Sequence, residues 1–183
     1  MVGQGFGKLV QVAYLVEDID AAMEYWLQIA GLGPWTCIRE IRLDSIFENQ
    51  EIELVIHEAL AYMGDLQIQL VQSLNPPGDA TPYRSWLDQG RFGVHHVAFF
   101  SHDIEADITR AQAQGFERTC EMRSADGHRY FYCRSKAMPD VWIELLEVYP
   151  LLTQIFEEGI ATAASWDGRD PIRNIDYAEL QAG

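Results

Sequence analysis

Cysteine, positive charge and long apolar runs are all scarce in this 183-residue chain, and each scarcity narrows what the chain can be. Three cysteines are present, Cys37, Cys120 and Cys133, with no close pair among them. Neither a disulfide framework nor a thiolate metal site is expected from these, and a reducing, cytoplasmic setting is. Lysine and arginine number 13 against 28 aspartates and glutamates, a net charge of −15. That field repels phosphate backbones, so nucleic acid is not expected as a partner. The acidic residues are spread along the chain, as on a solvated surface, and are not gathered in a tail. Apolar runs are broken within a few positions, short of the ~20 residues a membrane-crossing helix needs, so no membrane partner is expected. The opening residues, MVGQGFGKLVQVAYLVED, lack the basic, apolar, small-residue order of a secretory signal.

What the chain does have is core-forming material: 48% hydrophobic residues, with five Trp, eight Tyr and eight Phe. That is globular composition. It also repeats itself. Sliding the sequence by 85 positions sets Gln11 on His96, Ala13 on Ala98, Asp18 on Asp103 and Ile19 on Ile104. Each copy reads as a strand, an acidic turn and a helix, with Asp18 and Asp103 as N-caps and Gly31 and Gly115 as stops. More strands follow: Trp35–Ile41, Ile52–Tyr62 and Leu66–Val71 in the first half, Glu117–Met122, Tyr130–Cys133 and Val141–Leu146 in the second. A slide of 75 positions lays Gln69 on Glu144. The expected fold is therefore α+β, two βαβββ modules curling a mixed sheet around a cleft. The first module spans 8–74 and the second 92–148, joined by a linker with a short helix over 75–91 and followed by a helical tail over 149–183.

Superposing the halves gives equivalent positions in the first and last strand of each: Gln11 and His96, Gln69 and Glu144. If the strands curl round one cleft, three oxygen donors and one imidazole converge, a set suited to one divalent ion. Such a site leaves adjacent positions for two neighbouring substrate oxygens. Glu53 and Glu58 flank His57 in the long strand of the first half, and the alternation there does not reveal which of them faces the cleft. His95 is expected on the sheet face opposite His96, because successive strand side chains alternate.

These residues carry a resemblance. The passage from Asp79 to Phe99, containing Gly93-Val-His-His-Val-Ala-Phe99, is similar to the linker and third-ligand strand of methylmalonyl-CoA epimerases. Trp142-Ile-Glu-Leu-Leu-Glu147 resembles their last strand. The chain thus looks like the vicinal oxygen chelate superfamily, which includes glyoxalase I, those epimerases, extradiol dioxygenases and bleomycin-binding proteins, over about residues 8–148. The resemblance implies one divalent ion (Zn, Ni, Co, Mn or Fe) held by Gln11, Gln69, His96 and Glu144. Gln11 departs from the epimerases, which have His there, and looks like the Gln of some glyoxalases. The implied activity is that of an isomerase, epimerase or lyase working through an enolate on a small keto, hydroxyketo or acyl-thioester substrate. Glu144 is the first candidate for the base. A second would come from Glu53 or Glu58, and His57 is a further cleft candidate. A non-catalytic, bleomycin-resistance-type binder is the alternative. A dioxygenase is disfavoured because iron there usually has a second histidine where Gln11 stands. The tail helix offers an apolar face without an obvious partner, from which a homodimer is expected.

Overall fold

The computed structural model describes residues 5–124 and 127–177. In chain order its elements are β1 (Leu9–Leu15), α1 (Ile19–Ala30), β2 (Trp35–Phe47), β3 (Gln50–Met63), β4 (Leu66–Ser73), α2 (Arg84–Leu87), β5 (Gly93–Ser101), α3 (Ile104–Ala113), β6 (Phe116–Arg123), β7 (Arg129–Ser135), β8 (Met138–Glu147), α4 (Pro150–Ala164) and β9 (Ile172–Asp176). The helices begin where the carboxylates predict. Asp18 accepts from the backbone N–H groups of Asp20 and Ala21, both at 3.0 Å, and Asp103 accepts from Ala106, also at 3.0 Å. Gly31 ends α1 in the left-handed region that a side chain would strain.

Within each module the first strand pairs in parallel with the last, β1 with β4 and β5 with β8. The remaining partners are antiparallel hairpins. The modules join where β1 runs antiparallel to β5 and again where the end of β2 meets β6. The ladder therefore runs β3-β4-β1-β5-β8-β7-β6-β2, and β2 returns to β3. The curled sheet expected from the repeat closes into a ring. On its outside, α1 covers Trp35, Ala59, Ala61, Ile68 and Leu70. Likewise, α3 covers Phe131, Cys133 and Leu145. Full burial of side chains such as Ile19 and Met23 contributes roughly 1.5–3 kcal/mol each.

Two elements differ from the sequence expectation. First, β2 and β3 are longer than the expected strands and meet in a tight hairpin whose turn residues, Glu48 and Asn49, both have positive φ (47° and 66°). That is the type I′ geometry usually announced by Asn-Gly, a signal this turn lacks. Second, the tail is more than a helix: β9 adds in parallel to β2, from Trp35↔Ile172 to Arg39↔Asp176. The apolar face of α4 also has a partner within its own chain, since Leu152 and Phe156 pack with Val10, Tyr62, Ala98 and Leu146. The case for a homodimer built on an unpartnered helix therefore lapses. No helix among the described residues is long and apolar enough to cross a membrane.

Candidate metal and ligand site

The sheet register explains how residues far apart in sequence come to share one face. Counting across β4, β1, β5 and β8, one row reads Gln67, Gln11, Ala98, Glu144 and the next reads Gln69, Ala13, His96, Trp142. Side chains two apart on a strand share a face, so both rows look into the ring. Gln11 and Glu144 are separated by Ala98, and Gln69 and His96 by Ala13. Those pairs are two ladder steps apart, about 10 Å between backbones. The intervening alanines, both with 0% exposure, leave room for the longer side chains to lean inward. Gln11, Gln69 and Glu144 line one cavity of about 290 Å³, and His96 lies behind Glu144, its Nε2 3.1 Å from Glu144 Oε2.

The donors of this group are used and the acceptors are left over. Gln11 donates its amide N–H to Gln67 Oε1 at 2.6 Å, and Gln69 donates to Glu58 Oε1. Each glutamine is thereby oriented with its carbonyl oxygen turned away from its partner, and neither oxygen has a hydrogen-bond partner despite being buried. The imidazoles form a relay. His95 Nε2 lies 3.4 Å from the Pro82 carbonyl, which only accepts, so the proton of His95 sits there. With the proton there, its Nδ1 accepts from His96 Nδ1–H at 3.0 Å, and the lone pair of His96 Nε2 is turned to the buried Glu144 carboxyl, 3.1 Å away. Burial holds both rings neutral, pushing His96 down to about 3 and His95 well below the usual histidine range.

His95 was expected to face away from His96, and it does not. Ala13 pairs with His96 but Tyr14 with Val94, so His95 sits in a β-bulge that breaks the alternation. The bulge turns its ring toward its neighbour, in a packed nest with Tyr83, Trp86 and Trp142.

Orphaned acceptors in a buried place call for a cation or a proton. Gln11 and Gln69 line the cavity with the Glu144 carboxylate, and His96 Nε2 lies directly behind that carboxylate; this chemistry fits one divalent ion. Because two of the four donors are amides, the described residues contain no group of three His, Cys, Asp or Glu able to hold a metal. Without an ion, burial pushes the Glu144 carboxyl up to about 8, with the Tyr132 hydroxyl pulling partly back. Burial also raises Glu58 to about 7; its bond from Gln69 opposes the shift and the Glu144 charge adds to it.

The other sequence candidates are placed elsewhere. Ile56, Glu58 and Leu60 of β3 line the cavity, so the opposite parity points outward. Glu53 lies on the surface, paired with Arg42 at 3.0 Å, and His57 accepts the Glu40 N–H through Nδ1 at 3.0 Å. Neither reaches the cleft. Gln67 is a cavity-lining position the sequence reading missed; its signal was the alternation Leu66-Gln-Ile-Gln-Leu70, which puts it on the face of Gln69. It is 2% exposed and donates to the Tyr62 hydroxyl at 2.6 Å.

A closed double βαβββ ring with a convergent donor set on its concave face defines the glyoxalase-type architecture. The chain belongs to the glyoxalase/bleomycin resistance protein/dioxygenase superfamily, whose family model matches residues 10–132. Among solved structures it resembles the methylmalonyl-CoA epimerase from Mycobacterium tuberculosis at 24% identity, covering 84% of this chain and 97% of that one, with a TM-score of 0.57. A Streptomyces coelicolor methylmalonyl-CoA epimerase in complex with 2-nitronate-propionyl-CoA matches at 19% identity over 80% and 100%, TM-score 0.57. A hypothetical protein from Bacillus halodurans matches at 17% over 78% and 95%, TM-score 0.56. At these identities the likeness is one of fold. No match was found among the curated proteins.

Proposed function

We propose that the chain is a metal-dependent isomerase of the epimerase or glyoxalase type, acting on a small substrate with two neighbouring oxygens. The observation that carries this reading is the set of orphaned acceptors, Gln11 Oε1, Gln69 Oε1 and His96 Nε2, gathered about the Glu144 carboxylate. These four side chains would hold the divalent ion, which when bound supplies Lewis-acid stabilisation for a developing enolate oxygen. The remaining chemistry belongs to the protein. Glu58 stands in the same cavity, its carboxyl raised by burial above the ordinary glutamate range, where it can both take a proton and give it back. The Gln69 N–H fixes its orientation. Glu58 would remove the proton from the carbon next to the substrate carbonyl. Returning it from the same side to the adjacent position is isomerisation; epimerisation needs a second acid to protonate the opposite face, and Glu144 is the other carboxyl lining the cavity. The apolar walls, among them Ile41, Ile56, Leu146 and Phe156, exclude water that would otherwise quench the enolate.

Metal uptake tests the reading. Chelator-treated protein dialysed against Zn, Mn, Co or Ni is expected to retain about one ion per chain, and His96→Ala to lose it while remaining folded. Retention of well under about a tenth of an equivalent, with every ion offered, would leave a binding protein without a metal.

A further inference from the structure

The same cavity carries information about the charge of its ligand. Its walls are the aliphatic and aromatic side chains of β2, β3, β6, β7, β8 and α4, together with Tyr177. Among the described residues no lysine or arginine lines it, whereas two carboxylates, Glu58 and Glu144, do. The other polar groups in the wall are neutral amides and hydroxyls, and the phenols are bonded to one another: Tyr83 with Tyr132 at 2.8 Å and Tyr130 with Tyr149 at 3.3 Å.

Nor are cations held in reserve nearby. Among the described residues, 12 of the 13 basic side chains have a carboxylate partner, and none of the 13 lines the cavity. The groove that does contain basic side chains, about 710 Å³ with Arg91, Arg134 and Lys136, shares no lining residue with the cavity. Those three are bound to Asp140 and Glu117. An ion bound among the four donors would bring two positive charges, which Glu58 and Glu144 already balance. A ligand that brings a carboxylate into the cavity would add uncompensated negative charge to a low-dielectric site on a chain of net charge −15.

We propose that what this cavity takes in is an uncharged, compact and largely apolar carbonyl body. The volume of about 290 Å³ sits at the low end for small-molecule pockets and fits a ring or branched body carrying two adjacent oxygens. This deepens the reading under "Proposed function" and rests on it for the oxygens, but the preference for a neutral ligand comes from the walls.

The test compares three probes by calorimetric titration of the full chain, in Mn-loaded and in chelator-treated form. 2-Hydroxyacetophenone is neutral, benzoylformate has the same ring and adjacent oxygens but bears a carboxylate, and methylmalonyl-CoA carries phosphates. The neutral probe is expected to bind at least about tenfold more tightly than benzoylformate in the chelator-treated form, where no ion can chelate the α-keto carboxylate, with no saturable binding of methylmalonyl-CoA, whose acyl carboxylate would have to enter the cavity. Leu43→Trp, which fills the cavity from its wall, should abolish binding of the neutral probe. Tighter binding of benzoylformate or methylmalonyl-CoA by the chelator-treated form, or unchanged binding of the neutral probe to a folded Leu43→Trp protein, overturns the proposal. Failure of the metal reading is a separate result. It would appear as no ion uptake, with the preference for the neutral probe still visible in the chelator-treated protein.

Discussion

A histidine that touches no ligand decides what its neighbour can bind. His95 fixes the tautomer of His96 because its own proton is held at the Pro82 carbonyl, and the free lone pair of His96 follows from that. His95→Phe keeps a ring in the nest of Tyr83, Trp86 and Trp142 but removes the acceptor. His96 is then free to carry its proton on Nε2, where a metal would have to be. Divalent-ion affinity, read by competition with a chromophoric chelator, is expected to fall by roughly 10–100-fold, the usual effect of losing a partner behind a ligand. The melting temperature should change little. Unchanged affinity would mean that the relay does not set the tautomer.

At the scale of elements, α4 is held on β3 by a close approach. A Cβ on Gly159 would overlap the Tyr62 ring, and Tyr62 and Phe156 meet edge to face at 5.8 Å. Gly159→Ala would normally favour a helix. Here the added methyl must push Tyr62 or lift α4, so we expect a net loss of about 1–3 kcal/mol in denaturant unfolding. A stabilised variant would show that the helix rides loosely. The tail is also where the sequence was hardest to read. The first and last strands of each module announced themselves by alternation and by the repeat, and the four donors were named from that pattern. In contrast, Glu53 and His57 fall on the outer face of β3, which is solvated at Glu53 and covered by α1 only farther along at Ala59 and Ala61, while Ile56 and Leu60 line the cavity. Apolar residues on both faces of that strand leave its alternation without a sign. The bulge at His95 and the pairing of β9 are tertiary outcomes with no local marker.

For the whole molecule, two raised carboxyls tie stability to pH. The folded pKa values of Glu58 and Glu144 are about 7 and about 8, against an ordinary 4.5. Below pH 4.5 both are protonated whether the chain is folded or not, and their neutral burial is fully tolerated. Between there and the folded values the unfolded chain ionises first, so stability drains away as pH rises, and the loss is complete above about 8. The exposed, ion-paired Glu117, Asp65 and Asp167 have lowered values and act in the opposite sense, below this window. Below pH 6.5 the buried, neutral His95 and His96 work against this trend, because the unfolded chain protonates them there, so chelator-treated protein should melt at steadily lower temperature between about pH 6.5 and pH 9 at constant ionic strength. A flat or rising profile in scanning calorimetry would contradict the burial of these groups.

The hydrogen bonds that leave Gln11 with a free oxygen do not end at Gln67. Gln67 donates to the Tyr62 hydroxyl, which in turn reaches the Ile155 carbonyl of α4 at 3.5 Å. The first of the four donors and the tail helix are thus consecutive stations on one polar thread. Whatever immobilises Gln11 at one end stiffens the seat of the helix at the other, and by thermodynamic reciprocity a well-seated helix must sharpen the grip at Gln11 by the same factor. The first half of α4, remote in sequence from all four donors, would then serve as an affinity dial for the cleft.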